Sequence, residues 1–170
     1  LGAWGLGRYG PGALSCFLLA KSAMTLQNIL TRNRAILTHF DSYSTALLFP
    51  RWGTSLLWPA ALPEGSSPMP PPALIDPIQT SEAVKLAVVE RCRLKPDELA
   101  CVGEFNHWAQ TPDGPVRIHL LRFTTLDAPK AAIEALGGEF KPMSLLRGSA
   151  MSELVLLREV FNLIVGGGKA

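Results

Sequence analysis

The sequence predicts an α/β fold, a mixed β-sheet sandwiched between α-helices. Apolar, β-branched runs of strand length alternate with segments of helical periodicity, and Gly and Pro punctuate them. No strict strand–helix–strand rhythm and no internal repeat orders these segments, which points to a mixed sheet rather than a parallel one. The 170 residues are 48% hydrophobic and 18% charged, with mean hydropathy +0.21. That is enough to bury one domain core and unlike a disordered chain. Sixteen Lys and Arg against fourteen Asp and Glu give a formal net charge of +2. With no basic stripe, nucleic acid is not an expected partner. Cys16, Cys92 and Cys101 stand at unrelated spacings, so they read as reduced thiols, buried for the most part, in a cytoplasmic protein.

Residues 1–40 form a basic extension without a single acid, charged through Arg8, Lys21, Arg32 and Arg34. Its apolar run Ala13–Ala20 is too short to cross a bilayer, so no membrane partner is expected. An acid-free, Arg-containing start also suits an organelle transit peptide. Residues 24–40 place Leu26, Ile29, Leu30, Ile36 and Leu37 within reach of one helical face, which predicts a helix there. The spacing of Gly5, Gly7 and Gly10 imitates a dinucleotide loop but follows no strand. The 166–170 tail, with its three glycines before Lys169, lacks the helix that would hold a phosphate.

A domain over 41–165 follows. Thr45–Phe49 and Ser55–Trp58 read as two strands of a hairpin around Pro50–Gly53. Pro59–Pro77 carries seven prolines and reads as a loop. Ser81–Leu94 is a helix capped by Thr80 or Ser81, with Ala83, Leu86, Ala87, Val88 and Leu94 on its apolar side. Leu99–Trp108 and Val116–Thr125 are strands paired through a turn at Thr111–Gly114. Pro129–Leu136 is a short helix stopped by Gly137 and Gly138. Glu139–Met143 is a brief strand, and Met151–Ile164 a final helix with Leu154, Leu157, Phe161 and Ile164 on one stripe.

This order, with Ser81–Leu94 followed by Pro96–Leu99 and by Val102–Phe105, resembles the Nudix hydrolase superfamily. The late segment Glu139–Leu146 leading into a helix is similar too. The family box reads Gly, five residues, Glu, seven residues, then Arg-Glu-U-x-Glu-Glu-x-Gly-U with U aliphatic. With its last aliphatic position on Leu94, Val88 and Glu90 also match. Pro72, Ile78, Leu86, Ala87, Arg91 and Arg93 stand where the family has Gly, Glu, Arg, Glu, Glu and Gly. The resemblance implies a Nudix-like sheet between helices, with Mg²⁺ or Mn²⁺ held on the box helix against a diphosphate. Positions 87, 90 and 91 share one helical face, and here they offer one carboxylate beside a cation. A hard divalent ion needs several oxygen ligands, so the box is degenerate.

The reading that follows is a Nudix-like protein that binds a nucleotide-like small molecule or a partner, without a cofactor, in place of hydrolysing it. If it is active, it is a divergent pyrophosphohydrolase using Mg²⁺ or Mn²⁺. A structural subunit of a larger assembly is a further alternative, and homo-oligomerisation stays open. Glu90 is the metal-ligand and catalytic candidate and Glu104 a second catalytic candidate. The plain reading of each is a solvated surface acid. Arg51 and Arg117 are candidates for phosphates, and Trp58 and Phe123 for stacking a base; their plain reading is packing within the sheet. His119 reads as a structural histidine. Asn106, His107 and Trp108 form the least ordinary local cluster.

Overall fold

A computed structural model describes residues 28–166. The expectations for residues 1–27, Cys16 among them, and for 167–170 lie outside the described residues. Residues 28–32 are helical. The chain then forms β1 (Asn33–Asp41), β2 (Ala46–Arg51), β3 (Leu57–Trp58), β4 (Ser67–Met69) and helix α1 (Ser81–Cys92). Strands β5 (Leu99–Cys101), β6 (His107–Thr111) and β7 (Gly114–Phe123) come next. Helix α2 (Lys130–Glu134), β8 (Glu139–Pro142) and α3 (Met151–Phe161) complete the order. The eight strands make one mixed sheet, in the order β4-β6-β7-β1-β2-β8, with β3 on β1 and β5 on β7. β1 and β7 run parallel, Asn33 opposite Arg117 and Leu37 opposite Leu121. The remaining pairs are antiparallel.

The α/β expectation of a mixed sheet between helices holds, and alternation along the two central strands explains it. Ala35 and Leu37 of β1 and Leu121 and Phe123 of β7 pack with Val84, Val88 and Cys92 of α1 and Ile133 of α2. Their neighbours Ile36, Ile118 and Leu120 point the other way, to Phe49, Leu146, Leu156, Leu157 and Val160. A strand buried on both faces needs apolar residues at consecutive positions. That is why residues 33–41 are a strand and the expected helix over 24–40 stops at residue 32. The folded unit therefore begins at or before Asn33, ahead of the boundary expected at 41.

Other local expectations also change. β2 and β3 do not form a hairpin with each other; both lie antiparallel along β1, His39 against Leu48 and Ala35 against Trp58. The chain loops out between them through the Trp52–Ser55 bridge, where Gly53 takes φ +65°. Leu99–Trp108 is likewise not one strand. It splits into β5 and β6 on either side of a turn that donates Phe105 N–H to Val102 O at 3.1 Å. The proline-rich loop supplies an edge strand after all, Pro68 pairing with Ala109. An edge tolerates the missing donor.

Thr80 caps α1, its hydroxyl accepting from Ala83 N at 3.3 Å, and Arg93 ends it in the left-handed conformation at φ 55°. The buried side of α1 is Val84, Ala87, Val88, Val89 and Cys92, while Leu86 is 52% exposed. On α3 the buried positions are Glu153, Leu156, Leu157 and Val160, so the expected stripe is rotated and Phe161 stays 44% exposed. Among the described residues no helix is long and apolar enough to cross a membrane.

Candidate functional site

Most residues singled out from sequence lie apart. Glu90 and Arg91 are exposed at the end of α1, whereas Ala87, the third position of that helical face, is buried against the sheet. Glu104 is exposed in the turn between β5 and β6. Among the described residues no three His, Cys, Asp or Glu side chains are grouped to hold a metal. Trp58 and Phe123 are core residues under α1, which leaves their rings no face for a ligand. Arg51 is half-buried on β2, opposite Glu139 of β8. The structure does not bring these residues together.

Arg117 belongs instead to a polar seam between β1, β7 and the turn ahead of α1. Asn33 Nδ2 donates to Ile29 O at 3.0 Å and to Ile78 O at 2.9 Å. With its amide so engaged, Asn33 Oδ1 must be the acceptor for His119 Nε2, 2.8 Å away. His119 is therefore the neutral Nε2–H tautomer. Its other nitrogen, Nδ1, is buried without a partner. Burial, and after it the positive Arg117, push the His119 imidazole down to about 3. Arg117 Nη1 donates to Gln79 O at 2.9 Å, and its guanidinium carbon lies 5.8 Å from the centre of the Trp108 ring. Gln79 Nε2 in turn donates to Arg32 O and Pro115 O, at 3.0 and 3.2 Å. Apart from His119 Nδ1 and Arg117 Nε, which are buried without partners, these groups are engaged with one another and fasten three segments. Cys92 and Cys101 are free thiols, and burial raises Cys92 to about 11, so it is inert.

The opposite face of the sheet holds a cleft of about 330 Å³. One wall is the proline-rich loop from Ala61 to Pro68 and the other is the first turns of α3. Its floor is His107 and Ala109 of β6 with Ile118 of β7, while the indole of Trp108 between them lies by Arg117 on the seam's face. Glu153 also lines it although only 5% exposed. One of its oxygens accepts from Ser55 Oγ and the other from Leu56 N, each at 2.8 Å. Ser55 Oγ accepts from Leu57 N at 3.1 Å, so its own proton is aimed at the carboxylate. Each carboxylate oxygen keeps a further lone pair for a ligand donor. The His107 ring packs on Phe105, centroids 4.5 Å apart, and Trp108 Nε1 donates to Asn106 Oδ1 at 2.9 Å. The first contact holds the cleft floor still, and the second fixes the indole on the seam's face. No Lys or Arg lines the cleft, so its chemistry suits a flat, uncharged ring with N–H donors rather than a phosphate.

Glu90, Glu104, Arg51, Trp58, Arg117 and Phe123 are all outside this lining. Of the cluster singled out from sequence, His107 lines the cleft, whereas the Trp108 ring sits with Arg117 on the other face. Glu153 and Ser55 are what the sequence reading missed. The signal was available: Glu153 shares a helical stripe with Leu156, Leu157 and Val160, and an acid on an apolar stripe must meet buried donors. No protein-family model matches the chain, and no curated protein matches it in sequence.

Proposed function

We propose that this is a Nudix-like binding protein whose cleft between the Ala61–Pro68 loop, β6 and α3 takes the ring end of a nucleotide-like ligand without hydrolysing it. The observation that carries the reading is the cleft itself: apolar walls around a buried, donor-held carboxylate, in a volume that fits one ring system. Preformed pockets of this kind orient a ligand with a few fixed polar groups. Against hydrolysis stands the degenerate box. Its surviving acid, Glu90, projects from a helix packed on the other face of the sheet from the cleft. Metal-assisted phosphate chemistry needs its carboxylates beside the bound phosphates. A cytoplasmic location is part of this reading and is supported by the free thiols of Cys92 and Cys101.

The test is calorimetry with a panel of nucleosides and nucleoside diphosphates, with and without Mg²⁺, alongside an assay for phosphoanhydride cleavage. Val155 lines the cleft and is 61% exposed, so Val155→Trp fills the cleft without touching the core. The expected result is saturable binding, without turnover, that weakens about tenfold or more in Val155→Trp. Absence of binding across the panel, or binding indifferent to Val155→Trp, overturns the cleft assignment. Mg²⁺-dependent cleavage abolished by Glu90→Gln replaces it with a divergent hydrolase.

A further inference from the structure

The apolar stripe that the sequence marks on the last helix is not the one the core uses. Glu153, Leu156, Leu157 and Val160 are buried, while Leu154 and Phe161 keep part of their surface open. Leu154, Leu157, Arg158 and Phe161 follow one another at i, i+3, i+4 and i+7, a single face of α3. Opposite that face lies the 3₁₀ turn Met143–Leu145 with Leu146 and Arg147 after it. Between them runs an open groove of about 520 Å³. It is distinct from the cleft, which uses Glu153, Val155 and Leu156 on the other flank of the helix. A helix that is apolar over more of its circumference than its own core covers has surface left for a second contact.

The charge on this groove says what kind of contact. Arg147 and Arg158 line it and are exposed. Among the described residues the ion pair is Lys141 with Glu139, so neither arginine has a carboxylate partner there. Residues 1–27 and 167–170 contain no Asp or Glu and offer the arginines no side-chain counter-charge. The basic start of the chain, with Arg8 and Lys21, would add like charge to the groove rather than balance it. A second copy docked symmetrically through this groove would set arginine against arginine. The groove is also too open to enclose a small molecule.

We infer that the α3 groove is a docking site for an acidic, amphipathic segment of another protein. Apolar side chains of that segment sit on the open parts of Met143, Leu154 and Phe161, above the buried Leu146 and Leu157. Its carboxylates pair with Arg147 and Arg158, which supply bidentate donors. This is the helix- or strand-in-groove mode of recognition, with anchors giving affinity and rim charges giving partner choice.

The experiment pans the full chain with a displayed library of short random peptides. The recovered peptides are then synthesised and their affinity measured by fluorescence anisotropy at low and high salt. Wild type is compared with Arg147→Glu/Arg158→Glu and, separately, with Phe161→Ser. The expected peptides carry Asp or Glu beside Leu, Ile, Met or Phe. Their affinity falls about tenfold or more in the double charge reversal, weakens with salt, and also falls in Phe161→Ser. Both arginines are surface positions, so the melting profile stays that of wild type, and nucleoside binding in the cleft is unchanged. Recovery of no peptide, of neutral or basic peptides, or of peptides that bind the reversed variant equally well overturns the inference. So does Arg-dependent sedimentation with phosphatidylserine vesicles in the absence of peptide binding, which would assign the groove to an anionic lipid surface.

Discussion

Toward α1 the sheet buries Asn33, Arg117 and His119, and every one is tied to a carbonyl or a side chain across the β1–β7 pair. Toward α3 it presents a largely apolar surface whose covering helix leaves a cleft on one flank and a groove on the other. Around these three side chains the first face is closed, because a buried polar group that loses its partner is costly; an open hollow of about 360 Å³ remains at its edge beside Gln79. The second face can be left incomplete, since apolar surface open to water costs little locally and gains when a ligand covers it. The face that carries the polar residues is therefore the structural one here, and the plainer face is where binding is expected.

The largest effect should come from breaking the seam. Asn33→Leu strands Ile29 O, Ile78 O and the His119 Nε2–H at once. Urea unfolding should show a loss of about 4 kcal/mol. A loss under about 1 kcal/mol would mean that water replaces the amide, and that the seam is not as closed as its geometry indicates.

A second test on the same face concerns fit. A Cβ on Gly138 would stand 2.7 Å from Trp52 Nε1 and 2.8 Å from Ile133 Cγ2. Ile133 is wholly buried and cannot retreat. Gly138→Ala should cost about 2 kcal/mol by overpacking. Gly103→Ala, where nothing lies within 4 Å, is the matched control and should leave the unfolding midpoint where it is. Equal midpoints for the two variants would show that Trp52 swings out easily.

These two positions also mark what the sequence could and could not disclose. β7, the Thr80 cap, the β6–β7 turn and the stop at Gly137 were legible because each has a local signal: alternation, a capping hydroxyl, a turn residue, a positive φ. β1 was not, since a strand buried on both faces has adjacent apolar residues that read equally well as part of a helix. The seam was illegible for another reason. Asn33, Gln79 and His119 stand tens of positions apart in the chain; the parallel β1–β7 register brings Asn33 beside His119, and the turn ahead of α1 brings Gln79 to Arg117. The cleft fell between these cases. His107 stood out as unusual, but Glu153 was hidden by assigning α3 a stripe that includes Leu154 and Phe161.

The third effect is a pH dependence assigned to one residue. His119 is pushed from 6.5 down to about 3, by burial first and Arg117 second. Between those values the unfolded chain binds a proton that the folded chain excludes. Stability therefore falls as the pH drops through this window, by at most about 1.4 kcal/mol per pH unit for one site. The contribution is complete above the upper value and levels off near the lower one. His119→Gln can still donate to Asn33 Oδ1 but does not titrate, so its stability profile should be flatter over the same range. Parallel profiles for the two proteins would place the proton elsewhere.

The smallest effect separates the box helix from the cleft. Glu90 is exposed, and Glu90→Gln removes a charge from solvent and nothing from the core. It should change stability by no more than about 0.5 kcal/mol and leave nucleoside affinity at the wild-type value. Glu153→Gln changes a single atom type too, but at a site where both oxygens accept hydrogen bonds. An amide there can keep Leu56 N on its oxygen and reverse the Ser55 bond by donating to Oγ, so the fold is held while the cleft loses its carboxylate. If the two faces divide the work as their geometry indicates, ligand affinity drops in Glu153→Gln and stays level in Glu90→Gln. The reverse pattern would return the function to α1, and would require carboxylates from other segments to gather around Glu90 when ligand binds.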